Sequence, residues 1–301
     1  MKTNKWNETN VGDLSGKVVI VTGSSSGIGF DNARVLVGKN AEVIIAVRNA
    51  EKGNNAIEKI KSTVPNANLK LMLLDLSDLG SVKSFAENFK NQYTKLDILI
   101  NNAGVMIPPY SKTKDGFELQ FGTNHLGHFA LTALLFDLIK STPGSRIINV
   151  ASNAHKMGKL NFEDLQWENR KYEAWKSYGD SKISNLYFTY ELARRLAKSN
   201  IEVIAAASHP GWTATELQRH SGFVEFLNKL FAQNIEMGAL PTLYAATEKD
   251  VKNGDYFGPD GWQEWKGYPK KVESNALSKD ESIAKQLWGT SEELTGLKFT
   301  I

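Results

Sequence analysis

The stretch KVVIVTGSSSGIG, residues 17–29, joins an apolar run to a glycine-rich turn. The apolar residues of 17–23 follow one another without alternation, which is typical of a strand buried on both faces of a parallel sheet. Glycines tighten the turn, and a helix that begins near Gly27 offers free N–H groups to a phosphate. The spacing is GxxxGxG rather than GxGxxG. In this strand–turn–helix setting it nevertheless predicts a dinucleotide-binding loop.

The same alternation of strand and helix continues along the chain. Short apolar runs predict further strands at 41–48, 69–75, 96–104 (with its turn), 145–152, 201–208 and 254–258. Helical patterns cover Gly27–Gly38, 50–62, the stretch from Ser77 or Asp78 toward Tyr93, 115–140, 176–198 and much of 214–249. Six or seven such repeats predict an α/β fold with a doubly wound, mostly parallel sheet of about seven strands. We expect a single domain over residues 1–301.

Some segments do not follow this alternation of strands and helices. Residues 1–14 form a polar N-terminal extension, and 252–301 are predicted to be a polar C-terminal tail. The segments 153–176 and 212–232 are expected on the substrate side of the domain. Apolar and charged residues mix at helical spacing in 212–232, which fits either a mobile lid or a plain amphipathic helix.

The composition limits the classes of function. Lys and Arg number 36 and Asp and Glu 33, and the net charge of +3 is too small to indicate a nucleic-acid partner. Cysteine is absent, which excludes disulfides, thiolate catalysis and cysteine-ligated metals. The polar N-terminus lacks a signal-peptide core, and no apolar stretch has the roughly 18 residues of a membrane span. We therefore expect a cytoplasmic protein.

Ligands of doubly wound sheets bind outside the carboxyl ends of the strands, so the residues there are the candidates for function. The position after the second strand normally carries an acid for the ribose 2′-hydroxyl of NAD. Here it carries Arg48, with Lys52 one turn later. A guanidinium pairs with a 2′-phosphate through its planar fork. The sequence therefore favours NADP(H) over NAD(H), the alternative being an ordinary solvated arginine.

Polar or small residues follow the other strands as well. Asp75 after the third strand fits either an adenine amino group or a helix cap. The run 101–104, NNAG, combines Asn side chains that join neighbouring strands with small residues that leave room for a flat ligand. Ser152 ends the fifth strand, and 208–215, SHPGWTAT, supplies a turn and hydroxyls after the sixth.

Tyr178 and Lys182 are four residues apart in SYGDSK, residues 177–182. On a helix this spacing places both side chains on one face. An ammonium beside a phenol favours the phenolate, so we expect the pKa of Tyr178 to lie below its usual value of about 10. Taken alone, the pair also fits a surface tyrosine stacked on a lysine stem.

Together these motifs resemble the short-chain dehydrogenase/reductase family over about residues 15–250. TGSSSGIG, NNAG, Ser152, Tyr178-x-x-x-Lys182 and the Pro210–Gly211 turn occur in the family's order. The stretches 105–118 and 123–129 are similar to the branch of retinol dehydrogenases, WW-domain oxidoreductases and protochlorophyllide reductases. The tail 258–271 resembles soluble bacterial members of that branch whose substrates are poorly defined.

The resemblance implies roles for individual residues. Tyr178 would be the general acid for carbonyl reduction, or the base for alcohol oxidation, and Lys182 would lower its pKa and bind the nicotinamide ribose. Ser152 would polarise the substrate oxygen. Asn124 would kink its helix and anchor a water that relays protons. The cofactor would contact Gly23, Ser25, Ser26, Gly27, Ile28, Gly29, Arg48, Asp75, Leu76, Asn102, Ala103, Gly104, Tyr178, Lys182, Pro210, Gly211, Thr213 and Thr215.

These observations predict an NADP(H)-preferring oxidoreductase that interconverts a carbonyl and an alcohol on a lipophilic small molecule. One alternative is reduction of a carbon–carbon double bond, as in protochlorophyllide reductases. Another is a nucleotide-sensing protein without turnover. No metal is predicted, because His125 and His128 lack a third ligand of suitable spacing. Family members are often homo-oligomers, but no residue here decides the oligomeric state.

Several tryptophans fall near the expected mouth of the site. They are Trp167, Trp175, Trp212, Trp262 and Trp265. Such side chains line apolar substrate pockets, and they equally pack lids onto a core or form subunit contacts. The sequence favours a substrate contact for Trp212 and leaves the others open.

Overall fold

The arrangement of the strands in the sheet fixes where a ligand can bind. A computed structural model describes residues 5–213 and 233–301. Its strands are β1 Val18–Thr22, β2 Glu42–Val47, β3 Leu69–Leu73, β4 Ile98–Asn101, β5 Arg146–Val150, β6 Ile204–Ser208, β7 Tyr256–Pro259 and β8 Pro269–Lys271. They form one sheet in the order β3-β2-β1-β4-β5-β6-β7-β8. The strand order reverses between β1 and β4, and this switch point is where such sheets bind ligands.

The helices alternate with the strands and cover both faces of the sheet. They are α1 Gly27–Gly38, α2 Ala50–Thr63, α3 Leu79–Lys90, α4 Gly127–Ser141, α5 Ala174–Lys198, α6 Ile235–Thr247 and α7 Glu281–Thr295. A short helical turn, Leu119–Phe121, and a π-helical turn, Gly122–Leu126, precede α4. The architecture confirms the predicted doubly wound α/β domain.

Strand β1 shows why its apolar run has no alternation. Val18 and Ile20 pack into the core on one face of the sheet, whereas Val19 and Val21 pack into the core on the other. Successive side chains of a strand point to opposite faces, so a strand covered on both sides needs apolar residues throughout. β1 pairs in parallel with β2 and with β4, which makes it a central strand.

The C-terminal region differs from the prediction, because residues 252–301 are not a tail. β7 extends the sheet in parallel beside β6, and β8 adds an antiparallel edge. Helix α7 then buries Leu287 and Trp288, and the Trp288 ring lies 5.8 Å from that of Phe188 on α5. Asp280 caps the start of α7, and Gly296 ends it with a φ of 67°. These caps and the apolar spacing are sequence signals of a helix. The prediction of a tail relied on the overall polarity of 252–301, which does not show such a pattern.

Three further predictions concern a helix cap, a lid segment and membrane spans. Asp78, one of the two proposed caps, accepts hydrogen bonds from the N–H groups of Gly80 and Ser81 and begins α3. The lid or helix proposed for 212–232 lies almost wholly outside the described residues. Within 5–213 and 233–301, no helix combines the length and the apolar character needed to cross a membrane.

Candidate active site

A cavity of about 760 Å³ opens at the carboxyl edge of the sheet. Residues that follow strands β1 to β6 line it, together with side chains of α5. The predicted site residues in its lining are Gly23, Ser25, Ser26, Gly27, Ile28, Gly29, Arg48, Asp75, Leu76, Asn102, Ala103, Gly104, Ser152, Tyr178, Lys182, Pro210, Gly211 and Thr213. Asn124 lies behind this lining, and Thr215 lies outside the described residues.

The glycine turn after β1 is packed against the turn after β4. Gly23 has a φ of 67°, and a Cβ there would lie 2.8 Å from the Cα of Ala103. A Cβ on Gly29 would lie 2.4 Å from Asn102 Nδ2, which itself donates to the carbonyl of Thr22 at 2.8 Å. These glycines therefore let two strand ends approach each other closely at the switch point.

The start of α1 is suited to a pyrophosphate. Ser26 is the N-cap, but its side chain makes no capping hydrogen bond, and the first turn contains no acidic residue. Ser25, Ser26 and Gly27 all line the cavity. The free N–H groups and the positive end of the helix dipole favour an anion at this place. The residues present thus fit a dinucleotide, and the glycine turn, α1 and the turn after β4 would hold it.

The end of β2 provides positive charge at one end of the cavity. Arg48, Asn49 and Lys52 line it, and Arg48 and Lys52 are both exposed. Neither cation forms an ion pair with any residue of 5–213 or 233–301. The Asn49 side chain is occupied, because it accepts from the Lys52 N–H and caps α2. The end of β2 therefore brings two cations without an ion-pair partner among the described residues to the cavity.

Thr22 connects β1 to the turn after β4. Its Oγ1 accepts hydrogen bonds from the N–H groups of Asn102 and Ala103, both at 2.9 Å, and lies 2.9 Å from His128 Nε2. The second ring nitrogen of His128 lies 3.0 Å from the carbonyl oxygen of Asn124. Buried threonine and histidine thus fix the NNAG turn and the π-helical turn relative to each other.

Asp75 lines the cavity, but it does not cap the next helix, because the N-cap of α3 is Asp78. One carboxylate oxygen of Asp75 accepts from the N–H of Ser77 at 2.9 Å and from its hydroxyl at 2.6 Å. The carboxylate therefore orders the turn before α3. Because this turn also carries Leu76, it shapes the cavity wall beyond β3.

Tyr178 and Lys182 lie on one face of α5 and line the same cavity. They are 8% and 4% exposed. The Lys182 ammonium donates to the carbonyl of Val150 at 3.0 Å and lies 5.7 Å from the centre of the Tyr178 ring. Ser152, which follows β5, lines the same cavity as Tyr178 and acts to lower the pKa of that residue. The interpretation of Tyr178 as a surface residue is therefore wrong.

The ionisation of this pair differs from the expectation. Burial raises the pKa of Tyr178 to about 12, and Ser152 offsets only part of this. Burial lowers the pKa of Lys182 to about 8. The prediction that Lys182 brings the pKa of Tyr178 below its usual value is wrong for this structure, because desolvation of the buried phenol is the largest cause of the shift and raises the pKa. At neutral pH the phenol keeps its proton.

Asn124 lies in the π-helical turn behind the cavity, and its side chain is fully used. Nδ2 donates to the carbonyl of Val105 and to Ser181 Oγ, both at 2.9 Å, while Oδ1 accepts from the N–H of Val105 at 2.8 Å. Gly104 passes so close that a Cβ there would lie 3.0 Å from Oδ1. Asn124 therefore holds the chain after β4 against the start of the tyrosine helix, from a π-helical turn that leads into α4.

Apolar side chains form the other end of the cavity. Those on its lining are Val105, Met106, Met157, Trp175, Trp212 and Trp265. Trp167 is not among them, because it is buried beneath the guanidinium of Arg170. Trp262 lies at the surface and is 71% exposed. Neither Met106 nor Met157 is singled out by the sequence analysis, although Met157 belongs to the segment 153–176 that is expected on the substrate side.

The two histidines considered for a metal make other contacts. His125 Nε2 lies 2.8 Å from Ser291 Oγ, and both nitrogens of His128 have the partners given above. Burial lowers the pKa of His125 to about 3 and that of His128 to about 4, so both rings are neutral. In the described residues no three His, Cys, Asp or Glu side chains are grouped for a metal.

Comparison with known proteins agrees with this geometry. The family described as short chain dehydrogenase matches residues 17–222. Retinol dehydrogenase 12 of Mus musculus is 43% identical over 97% of the chain and 90% of its own length. Retinol dehydrogenase 11 of Homo sapiens is 41% identical over 96% of the chain and 89% of its own length.

Solved structures support the same assignment. A crystal structure of an uncharacterized protein from Mycobacterium paratuberculosis has a TM-score of 0.84 and 37% identity, and the match covers 99% of this chain and 100% of that one. The structure of RhlG with NADP from Pseudomonas aeruginosa has a TM-score of 0.65 at 22% identity, covering 81% of this chain and 94% of that one, and shows the fold alone. The chain belongs to the short-chain dehydrogenase/reductase family and is an NAD(P)-dependent oxidoreductase that acts on a carbonyl/alcohol pair.

Proposed function

We propose that the protein is an NADP(H)-preferring oxidoreductase that interconverts a lipophilic aldehyde or ketone and its alcohol, with Tyr178 as the general acid and base. The observation that carries this proposal is the sharing of one cavity by Ser152, Tyr178, Lys182 and the glycine turn. A nucleotide held at the switch point and a substrate held at Tyr178 would thus meet inside the same cavity.

The chemistry divides between cofactor and protein. The nicotinamide cofactor, when bound, supplies or accepts the hydride. In the reducing direction, the Ser152 hydroxyl donates a hydrogen bond to the carbonyl oxygen. Tyr178 transfers its phenolic proton to that oxygen, and the resulting phenolate lies on the same helix face as the Lys182 ammonium. In the oxidising direction, the phenolate takes the hydroxyl proton back.

The protonation states favour the reducing direction at neutral pH. The pKa of Tyr178, raised to about 12 by burial, keeps the acid form available. The pKa of Lys182, lowered to about 8, leaves the lysine mainly charged at pH 7. The proton donor and the cation that stabilises its conjugate base are therefore both present before reduction.

The preference for NADP(H) rests on the end of β2. Arg48 and Lys52 line the cavity without ion-pair partners among the described residues. A 2′-phosphate carries negative charge and acceptor oxygens that suit both cations. A 2′-hydroxyl would find no carboxylate acceptor at this position. Pairing is therefore stronger with NADP(H) than with NAD(H).

The lipophilic substrate is inferred from the apolar end of the cavity. Met106, Met157, Trp175, Trp212 and Trp265 provide its side chains. The relatives reported above are named for retinol, which is an apolar alcohol. Mostly apolar walls with a few polar groups are typical of pockets for such molecules.

A spectrophotometric screen tests this function. Apolar and polar aldehydes, ketones and alcohols are mixed with the enzyme and each of NADPH, NADH, NADP+ and NAD+, and the absorbance of the reduced ring is followed. We expect turnover of apolar carbonyls with a higher kcat/KM for NADPH than for NADH. Equal values for the two cofactors contradict the cofactor preference, and the absence of turnover for every apolar carbonyl contradicts the proposed reaction.

A further inference from the structure

A β-hairpin tip outside the matched family region contacts the cavity. Residues 260–268 connect β7 to β8, and we call them the hairpin tip. Trp265 of the tip lines the cavity beside Trp212, and their ring centres are 6.1 Å apart. The N–H of Trp212 donates to the carbonyl of Trp265 at 2.7 Å. The hairpin tip therefore supplies part of the substrate-side wall.

A buried imidazole adds to the contacts between the hairpin tip and the turn after β6, which also include Gln233, whose side chain donates to the carbonyl of Pro210 and accepts from the N–H of Gly267. His209 is fully buried, its Nε2 lies 2.9 Å from a carboxylate oxygen of Glu264, and its Nδ1 accepts from the N–H of Gly211 at 3.2 Å. Because a backbone N–H can only donate, Nδ1 is the acceptor and Nε2 carries the proton that it donates to Glu264. A neutral histidine thus contacts both the turn and the tip.

Two glycines leave room for this contact. A Cβ on Gly258 would lie 2.0 Å from His209 Nε2, and a Cβ on Gly211 would lie 2.4 Å from the carbonyl oxygen of Trp265. Larger residues at either position would force the turn and the hairpin apart. The close approach is therefore specific to the residues present.

The backbone of the hairpin tip is strained where it is fastened. Gln263 and Glu264 have φ values of 48° and 58°, in the left-handed region that residues other than glycine seldom adopt. Such a conformation persists only where surrounding contacts hold it. Asn153, next to Ser152, provides a second contact by donating to the carbonyl of Gln263 at 3.3 Å. The strained residues are thus tied to both sides of the cavity.

We propose that the hairpin tip determines substrate specificity, with Glu264 and His209 as positioning residues that hold the Trp265 wall for aromatic or long-chain apolar carbonyl compounds. This inference rests on the proposed function. Removing the Glu264 carboxylate takes away one of the contacts that hold the left-handed conformation, so the tip keeps Trp265 less firmly in its place at the cavity wall. A bulky apolar substrate loses its contact, whereas a small aldehyde, which does not extend to the wall, is unaffected.

The test compares a bulky with a small substrate in matched variants. Glu264→Ala and Trp265→Ala should each raise the KM for 2-naphthaldehyde roughly tenfold, which corresponds to one lost apolar contact. The kcat for both aldehydes, the KM for propanal and the Kd of NADPH should change less than about twofold. Glu264→Gln keeps an oxygen acceptor for the His209 N–H and should restore the parent KM. Lys271→Ala, which breaks the ion pair with Asp255 in the same hairpin, should match the parent.

The outcomes separate this inference from the proposed function. If Glu264→Ala keeps the parent's ratio of kcat/KM for 2-naphthaldehyde over propanal, the specificity role is overturned. If the parent reduces neither aldehyde, the proposed function fails, and amide hydrogen exchange still tests the fastening. Glu264→Ala should then speed exchange at the Gly211 and Trp212 amides at least roughly tenfold relative to Lys271→Ala. Equal exchange rates in Glu264→Ala and Lys271→Ala would show that the Glu264–His209 contact does not hold the turn and the hairpin tip together.

Discussion

The two ends of the cavity are built in different ways. The nucleotide half, residues 17–104, presents the glycine turn after β1, the NNAG turn after β4 and a helix N-terminus, with Arg48 as its main side chain. The substrate half, residues 105–213 and 233–301, presents mainly large side chains. In the proposed site, the first half would hold the cofactor mainly through backbone geometry that follows from the strand order. The second half depends on which side chains several irregular segments bring together.

Long-range hydrogen bonds show the same difference. In the nucleotide half, Asn102 contacts Thr22 because β1 and β4 are adjacent parallel strands. In the substrate half, Asn153 contacts Gln263 across 110 positions of the chain, and no strand pairing links the two residues directly. The difference is that strand topology positions the proposed cofactor site, whereas side-chain packing between distant segments shapes the proposed substrate site. Each prediction that follows tests one side of this division.

The largest effect is expected at Tyr178, where the two halves meet. Tyr178→Phe removes the phenolic proton, and loss of a general acid typically costs 10²–10⁴ in rate, so we expect kcat to fall by roughly 10³. NADPH affinity should stay within about twofold, because the glycine turn and Arg48 are unchanged. Stopped-flow turnover and NADPH fluorescence titration measure the two quantities.

Tyr190→Phe is the matched control for this variant. Tyr190 lies on the same helix, and its hydroxyl lies 2.7 Å from Ser274 Oγ, away from the cavity lining. We expect nearly parental kcat from it. A Tyr178→Phe enzyme with near-parental kcat would show that the proton comes from another group.

The next largest effect is expected when Gly29, in the nucleotide half, is replaced by alanine, which adds one methyl group. Gly29→Ala would place Cβ 2.4 Å from Asn102 Nδ2 and 2.6 Å from the carbonyl oxygen of Gly23. Backbone must move to relieve this overlap, so we expect the free energy of unfolding to fall by about 3 kcal/mol. NADPH binding should weaken with it. Urea unfolding followed by circular dichroism measures the stability.

Gly289→Ala provides the opposite case in the substrate half. Gly289 lies within α7, and a Cβ there would meet no atom within 4 Å. Alanine should stabilise this helix by about 0.5–1 kcal/mol, because glycine loses more conformational entropy on folding. Destabilisation of similar size in both variants would mean that close strand approach is not what makes Gly29 necessary.

The difference between the two halves also explains which parts of the site could be predicted from the sequence. The glycine turn, NNAG and Arg48 each follow a strand, and a parallel sheet places all strand ends at one edge. Their shared position could therefore be predicted from chain order alone. Ser152, Tyr178 and Lys182 could be placed by the same rule and by helix periodicity. The pKa of Tyr178 could not, because it depends on burial that no local pattern reveals.

The position of the hairpin tip could not be predicted from chain order or from helix periodicity. Its link to His209 depends on Gly258 and Gly211 at positions where only the folded chain shows what a Cβ would meet. Helix α7 is a different case. Its Asp280 cap and the spacing of Leu287 and Trp288 were visible in the sequence, and the polar residues between them hid the pattern.

A smaller effect is expected at Arg48, the side chain that contributes most charge to the nucleotide half. Arg48→Ala removes a charge-assisted contact to the 2′-phosphate, so NADPH affinity should fall by about 1.5 kcal/mol, roughly tenfold. NADH affinity should change less than about twofold. Titration of both cofactors measures this. Lys59→Ala, an exposed lysine of α2 outside the cavity lining, is the control, and equal losses for both cofactors would contradict a phosphate contact.

The smallest effect concerns a buried acid of the substrate half. Asp180 follows Tyr178 by two residues, accepts from the N–H of Lys159 at 2.8 Å and lies 3.6 Å from the guanidinium of Arg170. Burial raises the pKa of Asp180 to about 7, and the Lys159 hydrogen bond and the Arg170 charge only partly oppose this. In the unfolded chain the same carboxyl has a pKa of about 3.9.

The sign of the pH dependence follows from these two values. Between about pH 4 and pH 7 the folded state binds a proton that the unfolded state lacks, so the contribution of Asp180 to stability falls as pH rises through this range. Asp180→Asn keeps the carbonyl acceptor and cannot ionise. The melting temperature of the variant minus that of the parent should therefore be larger at about pH 8 than at about pH 5, by about 2 °C or more. Differential scanning calorimetry of both proteins measures this difference, in which all other titrating groups cancel. A difference that stays constant, or that is larger at the lower pH, would show that Asp180 is ionised in the folded protein throughout this range and that Arg170 compensates its burial.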